Sequence, residues 1–181
     1  MNWKSLTALV ILLAAAGGFY VYDTYKREPA REKAESAKGR LWDVEAKDVE
    51  AVTIKRKADT IRLKRAEGGW EMLEPVRARG DRAPIDQLVT SLATLRVDRE
   101  IDPNPSRPAD FGLDPVRAEV KLEAKGRSEP LAVSIGGKNP TGAWVYARQG
   151  GKPAVFTLSE FIGRDVERPA SEFRDKTVLA F

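Results

Sequence analysis

The sequence predicts an α+β fold: two similar lobes of short antiparallel strands, each with a packed helix, preceded by an N-terminal transmembrane helix. Three observations carry that reading. From Leu41 onward, apolar and polar side chains alternate in short runs broken by Gly and Pro, the period of half-buried strands. Ile85, Leu88, Leu92 and Leu95 recur at helical spacing, with Val89 beside them. Leu6 to Tyr22 (LTALVILLAAAGGFYVY) is an unbroken uncharged run of 17 residues.

As a helix that run would extend ~25 Å, close to the thickness of a bilayer core. Trp3 precedes it, and Phe19, Tyr20 and Tyr22 crowd its far end, as suits the two interfaces of a membrane. Ala14-Ala15-Ala16 has the small-x-small form of a signal-peptidase site. The apolar run continues through Gly17–Tyr22, where a cleaved signal turns polar, so an uncleaved anchor is expected. Lys26, Arg27, Arg31 and Lys33 outnumber Lys4 across the run, an imbalance that favours a cytoplasmic C-terminal side. A long domain can be translocated despite such charges, so flank charge alone leaves orientation open. The expected organisation is an anchor over 1–25, a charged linker over 26–40 and an α+β extracytoplasmic domain over 41–181. The expected location is the inner membrane, single-pass, with the domain in the periplasm.

The linker (EPAREKAESAKGR over 28–40) is Ala- and charge-rich and reads as a solvated spacer. Strands are then expected over Val49–Arg56 and Thr60–Arg65, joined by a turn at Lys57-Ala58-Asp59. Gly68-Gly69 turns the chain into a strand over Trp70–Leu73, which Pro75 ends. Asp81 is the expected N-cap of the first helix, with Pro84 in its first turn. A Pro-rich crossing follows over 98–116 (Pro103, Pro105, Pro108, Pro115). Further strands are expected over Ala118–Glu123, Leu131–Ile135, Trp144–Arg148 and Ala154–Leu158, then a short helix from Ser159 to about Val166. Gly68-Gly69-Trp70 and Gly142-Ala143-Trp144 thus mark corresponding points of a weak internal repeat.

Composition excludes whole classes of chemistry. The chain has no Cys and no His, hence no disulfide framework, thiol nucleophile, imidazole base or ordinary zinc site. No cofactor is expected, and the tilt is away from an enzyme. Of the net charge of +4, the stretch 26–40 carries +3 and the residues beyond it only +1. A nearly neutral domain argues against nucleic acid, although Lys55, Arg56, Lys57, Arg62, Lys64 and Arg65 crowd one hairpin.

Several landmarks occur in a recognisable order: Asp48-Val49-Glu50-Ala51-Val52-Thr53-Ile54, then Gly69-Trp70-Glu71-Met72 with Pro75, and Phe111-Gly112-Leu113-Asp114-Pro115. Ile135-Gly136, Trp144-Val145-Tyr146 and Phe173-Arg174-Asp175-Lys176 follow. In these residues, over roughly 41–178, the chain resembles the bacterial family called domain of unknown function 4340. The resemblance implies an envelope protein with an N-terminal membrane helix, its relatives associated with transporters similar to those of gliding-motility systems. It implies no catalytic residue. Longer relatives continue past a segment like Phe173–Lys176, so Thr177–Phe181 is expected to be an open strand or one that pairs with a partner.

Motifs with tempting names have plainer readings. Asp110-Phe111-Gly112 lacks every other part of a kinase, and Phe111 and Leu113 read as anchors around a Gly112 turn. Ile135-Gly136-Gly137-Lys138 is followed by Asn139-Pro140 where a phosphate loop needs Ser/Thr and a helix, so a hairpin loop is expected. Asp110 and Asp114 are a close acid pair in sequence, but a carboxylate-only hydrolase would need them to face each other across a cleft. The leading expectation is a non-enzymatic, membrane-anchored accessory or assembly subunit of an envelope membrane complex, with a transporter among the partners considered. Membrane lipids would be met through the N-terminal helix. The alternative is a glycan- or lipid-binding module. The candidate interaction residues are Trp70, Trp144, Phe111 and Phe181, with the indoles also readable as core or turn anchors.

Overall fold

A computed structural model describes residues 39–176. The alternating runs form strands β1 (Val49–Arg56), β2 (Thr60–Ala66), β3 (Gly69–Glu74) and β4 (Ala78–Gly80), then helix α1 (Arg82–Ala93). Strand β5 (Arg99–Asp102) follows, then β6 (Ala118–Ala124), β7 (Leu131–Lys138), β8 (Trp144–Gln149), β9 (Val155–Ser159) and helix α2 (Glu160–Glu167). The fold is α+β, mostly antiparallel sheet with two helices. Among the described residues no helix is long and apolar enough to cross a membrane. The uncharged run Leu6–Tyr22, the charged linker up to Lys38 and the tail Thr177–Phe181 lie outside the described residues.

The halves expected as two lobes share one sheet, in the order β4-β3-β2-β1-β6-β7-β8-β9-β5. The seam is β1 against β6, which pair antiparallel with Val52 opposite Leu122 and Ile54 opposite Val120. Pairing at that seam satisfies two strand edges that separate lobes would leave open. Outward from it, both halves run in chain order: β1 to β4 on one side, β6 to β9 on the other. Each last strand passes directly into its helix. The chain after each helix then crosses to the opposite end of the sheet. After α1, β5 pairs with β9; after α2, Arg174 bridges to Gly80 of β4. The repeat is therefore interlocked, each half supplying the edge of the other.

Alternation decides which face of the sheet is buried. Val52, Ile54, Ile61, Leu63 and Met72 from one half, and Val120, Leu122, Val133, Ile135 and Leu158 from the other, are essentially solvent-free. The α1 stripe of Ile85, Leu88, Val89 and Leu92 and the α2 residues Ile162 and Val166 are buried in the same core. Burying one such side chain contributes ~1.5–3 kcal/mol.

The helix ends are closed by specific side chains. Asp81 accepts from the Ala83 amide (3.2 Å) and Ser159 from the Phe161 amide (3.4 Å), each an N-cap. At the far end of α1, the Trp42 indole N–H donates to Leu92 O at 2.8 Å. At the far end of α2, the Arg56 guanidinium donates to Val166 O (3.1 Å) and Arg168 O (2.9 Å) while Asp59 holds it in place. Both devices satisfy carbonyls that a helix leaves unpaired.

The Pro-rich crossing is partly structured. Pro108–Phe111 is a 3-10 turn, and Gly112 ends it at φ +65°. The turn packs on β7 so closely that a Cβ on Gly136 would lie 2.4 Å from Phe111 O and 3.0 Å from Leu113 Cγ. That approach explains why glycines stand at Gly136 and Gly112 without any phosphate-loop chemistry.

Candidate functional site

The two tryptophans that mark the repeat open equivalent strands and meet different surroundings. Trp70, in β3 opposite Gly80, is only 3% exposed. Its indole N–H donates to Asp86 Oδ1 on α1 at 2.8 Å, and the Arg65 guanidinium lies 4.5 Å from the ring centroid. The indole is thus satisfied at both its polar tip and its π face. The depression beside it, about 540 Å³, is bordered by Arg79, Asp81, Arg82 and Asp175.

Trp144 opens β8 opposite Ser159 and is half-buried. It lines an open groove of about 520 Å³ between the end of α1, the segment Arg96–Asp98 and the first turns of α2. Leu95, Val97 and Ile162 supply apolar lining, and Asp98 and Asp165 supply carboxylates. Asp98 accepts from the Thr157 hydroxyl at 3.3 Å, but neither acid has an ion-pair partner among the described residues. Unlike Trp70, Trp144 has no acceptor for its indole N–H among the described residues.

Phe161 forms one wall of this groove and is 70% exposed, with Arg164 stacked 4.5 Å from its ring centroid. On its other side lies a second depression of about 410 Å³ lined by Lys138, Gly142, Ala143 and Glu160. Sequence reading passed over Phe161. The available signal was its position: it falls off the Ile162–Val166 stripe of α2, so an aromatic there could not join the core.

A charge cluster anchors α2 beside the groove. Glu160, its first residue, lies with Oε1 2.6 Å from Lys138 Nζ and Oε2 3.6 Å from Arg117 Nη1. These are charge contacts and not well-aligned hydrogen bonds. Arg117 Nε donates to Glu167 Oε1 at 2.6 Å, so Arg117 spans the helix from one end to the other. Gly163 permits this, since a Cβ there would meet Glu160 Oε2 at 2.6 Å and Arg117 Nη1 at 3.0 Å.

The hydrogen bond from Arg117 holds the Glu167 carboxyl below its ordinary value, with partial burial opposing. A lowered folded value stabilises above the ordinary carboxylate range, and that contribution is lost as pH falls through the folded value. Glu167 is half exposed, so solvent screening limits the effect to under ~1 kcal/mol. Glu167→Gln is expected to lower the urea midpoint at pH 7. The gap from the parent should narrow as pH falls below the ordinary carboxylate range.

The remaining expected residues are placed as follows. Phe111 is half-buried, edge-on to Tyr146 with centroids 5.1 Å apart. Phe181 lies outside the described residues. The basic hairpin is broken up as a patch: Arg56 caps α2, Arg62 lies 3.4 Å from Glu123, and Arg65 covers Trp70. Asp110 is exposed and paired with Arg107 at 3.2 Å, and Asp114 is exposed. Among the described residues no group of acids is arranged to hold a metal ion.

A family model described as "Domain of unknown function (DUF4340)" matches residues 70–181. No curated protein and no solved structure matches the chain.

Proposed function

We propose, from the premise that the chain belongs to the DUF4340 family, that it is a membrane-anchored, non-enzymatic accessory or assembly subunit of a bacterial envelope membrane complex. The observation that carries the reading is the uncharged run Leu6–Tyr22 ahead of a domain with an exposed aromatic groove. The run is long enough to hold the domain at a bilayer as a single-pass transmembrane helix. Large apolar side chains left on such a surface mark contact sites. The absence of Cys and His supports a non-catalytic role by leaving few groups suited to general acid–base or nucleophilic work near neutral pH. In this reading the domain is periplasmic and the partner is an integral membrane complex, a transporter being the kind that the resemblance favours.

A second reading, a glycan- or lipid-binding envelope module, has one observation of its own. Trp144 presents a half-buried indole beside carboxylates and hydroxyls, the furniture of a sugar site. Extraction in mild detergent followed by co-purification of the tagged full chain separates the two. Stoichiometric companions are expected; a chain that always runs alone, yet is retained on a glycan or lipid matrix, would favour the second reading.

A further inference from the structure

The chain enters the domain at the end that carries its exposed aromatic. Gly39 O accepts from the Val97 amide and Leu95 O from the Leu41 amide, both at 2.8 Å, with Arg40 bridged to Arg96 between them. Whatever precedes Gly39 is therefore joined to the domain on the segment Arg96–Asp98. That segment borders the same groove as Phe161. Phe161 is 70% exposed, the most exposed large apolar side chain among the described residues, and Arg164 stacks on its ring. The opposite end of α1 differs: Arg79, Arg82 and Lys176 lie around a buried Trp70, and no aromatic is exposed there.

From this placement we infer that Phe161 rests in the head-group region of the bilayer that anchors the chain. The end of the domain at Arg96–Asp98 is then turned to the membrane. Read as a solvated spacer, the stretch 26–38 has an r.m.s. length of about 20 Å. Helix α1 by itself sets Arg82 ~18 Å from its other end. On such a tether the Phe161 end stays nearer the lipid than the Arg82 end. One phenylalanine does not hold a free protein at a membrane, but behind an anchor the contact is intramolecular and a weak one suffices. A ring stacked with an arginine suits that interface, where aromatic bodies sit at head-group depth and guanidinium groups reach phosphate. The charges bordering the two depressions beside the ring balance, with Arg96, Lys138 and Arg164 against Asp98, Glu160 and Asp165. The contact is therefore made by the ring and not by net charge, and a zwitterionic bilayer serves as well as an acidic one. The inference rests on the anchored-subunit reading and names the face that the domain turns to the lipid.

The test exploits the absence of native cysteine. The full chain is reconstituted in phosphatidylcholine vesicles with one cysteine carrying the fluorophore NBD. The label stands either at Ala143→Cys, in the depression beside Phe161, or at Arg82→Cys, at the far end of α1. Both positions are exposed. A lipid with a nitroxide on its head group should quench the label at position 143 several-fold more than the label at 82. That difference should persist in about 0.5 M NaCl, where charge attraction is screened. Adding Phe161→Ser should bring the two sites to equal quenching; Phe161 is exposed, so this variant keeps the fold. Equal quenching in the parent, a difference that survives Phe161→Ser, or one that salt abolishes overturns the proposal. So does shielding of the label at 143 from both the lipid nitroxide and aqueous iodide, the mark of a protein contact. In each of these cases the anchored reading stands so long as the chain floats with the vesicles. A chain left in the soluble fraction overturns that reading and this inference with it.

Discussion

A fragment carrying only residues 70–181, the stretch that matches the family model, is expected to be unfolded, whereas 39–181 should unfold cooperatively. The match begins inside β3, yet the two halves join at β1, an interior strand between β2 and β6. Removing β1 and β2 takes Val49, Val52, Ile54, Ile61 and Leu63 out of the core, each with no exposed surface. At ~1.5–3 kcal/mol for each, the loss is about 7–15 kcal/mol, as large as the whole stability of an ordinary domain. The fragment also exposes the edges of β3 and β6, both lined with apolar side chains, and so invites aggregation. Trp42 goes too, leaving the end of α1 without its cap. Circular dichroism with urea titration and amide dispersion by NMR would check this. A cooperative transition with dispersed amides for 70–181 would show that the second half folds alone, and the interlocked sheet would then be wrong.

What the sequence made legible were the features set by local chemistry. Alternation at Val52–Ile54 and Ile61–Leu63, the Asp81 cap and the Ile85–Leu92 stripe each follow from neighbours within a few residues, and each stands where expected. Strands β4 and β5 were not legible. Ala78-Arg79-Gly80 and Arg99-Glu100-Ile101-Asp102 are too short and too charged to show a period, and they become strands only because a remote partner borders them. The fusion of the halves escaped for the same reason. Val120 and Leu122 show that β6 has a buried face, but nothing in their alternation says that β1 is the neighbour. Among the site residues, Trp70 and Trp144 look alike in sequence, each following a glycine turn. Their different fates depend on Asp86 and Arg65, which reach Trp70 from α1 and from β2 and are remote from the glycine turn that the two tryptophans share.

Phe173→Ala is expected to cost ~3–5 kcal/mol, the range for emptying a buried aromatic site. That would lower the melting temperature by roughly 10–20 °C. The side chain has no exposed surface and is among the largest fully buried ones. Its ring lies 5.0 Å from the Arg168 guanidinium, itself tied to Glu172 at 2.8 Å. Its backbone carbonyl accepts from the Asp81 amide at the N-cap of α1. The substitution therefore does more than leave a cavity: it loosens the crossing that covers β4. Hydrogen exchange should report this locally, with the amides of Asp81 and Asp175 losing protection before those of β1 and β6. Phe161→Ser supplies the contrast, because that ring is mostly exposed and its loss should move stability by no more than ~0.5 kcal/mol. A loss of under ~1 kcal/mol in Phe173→Ala would mean that the ring is not an anchor of this corner. If instead the two phenylalanines separate as expected, one ring holds the fold together while the other contributes nothing to it.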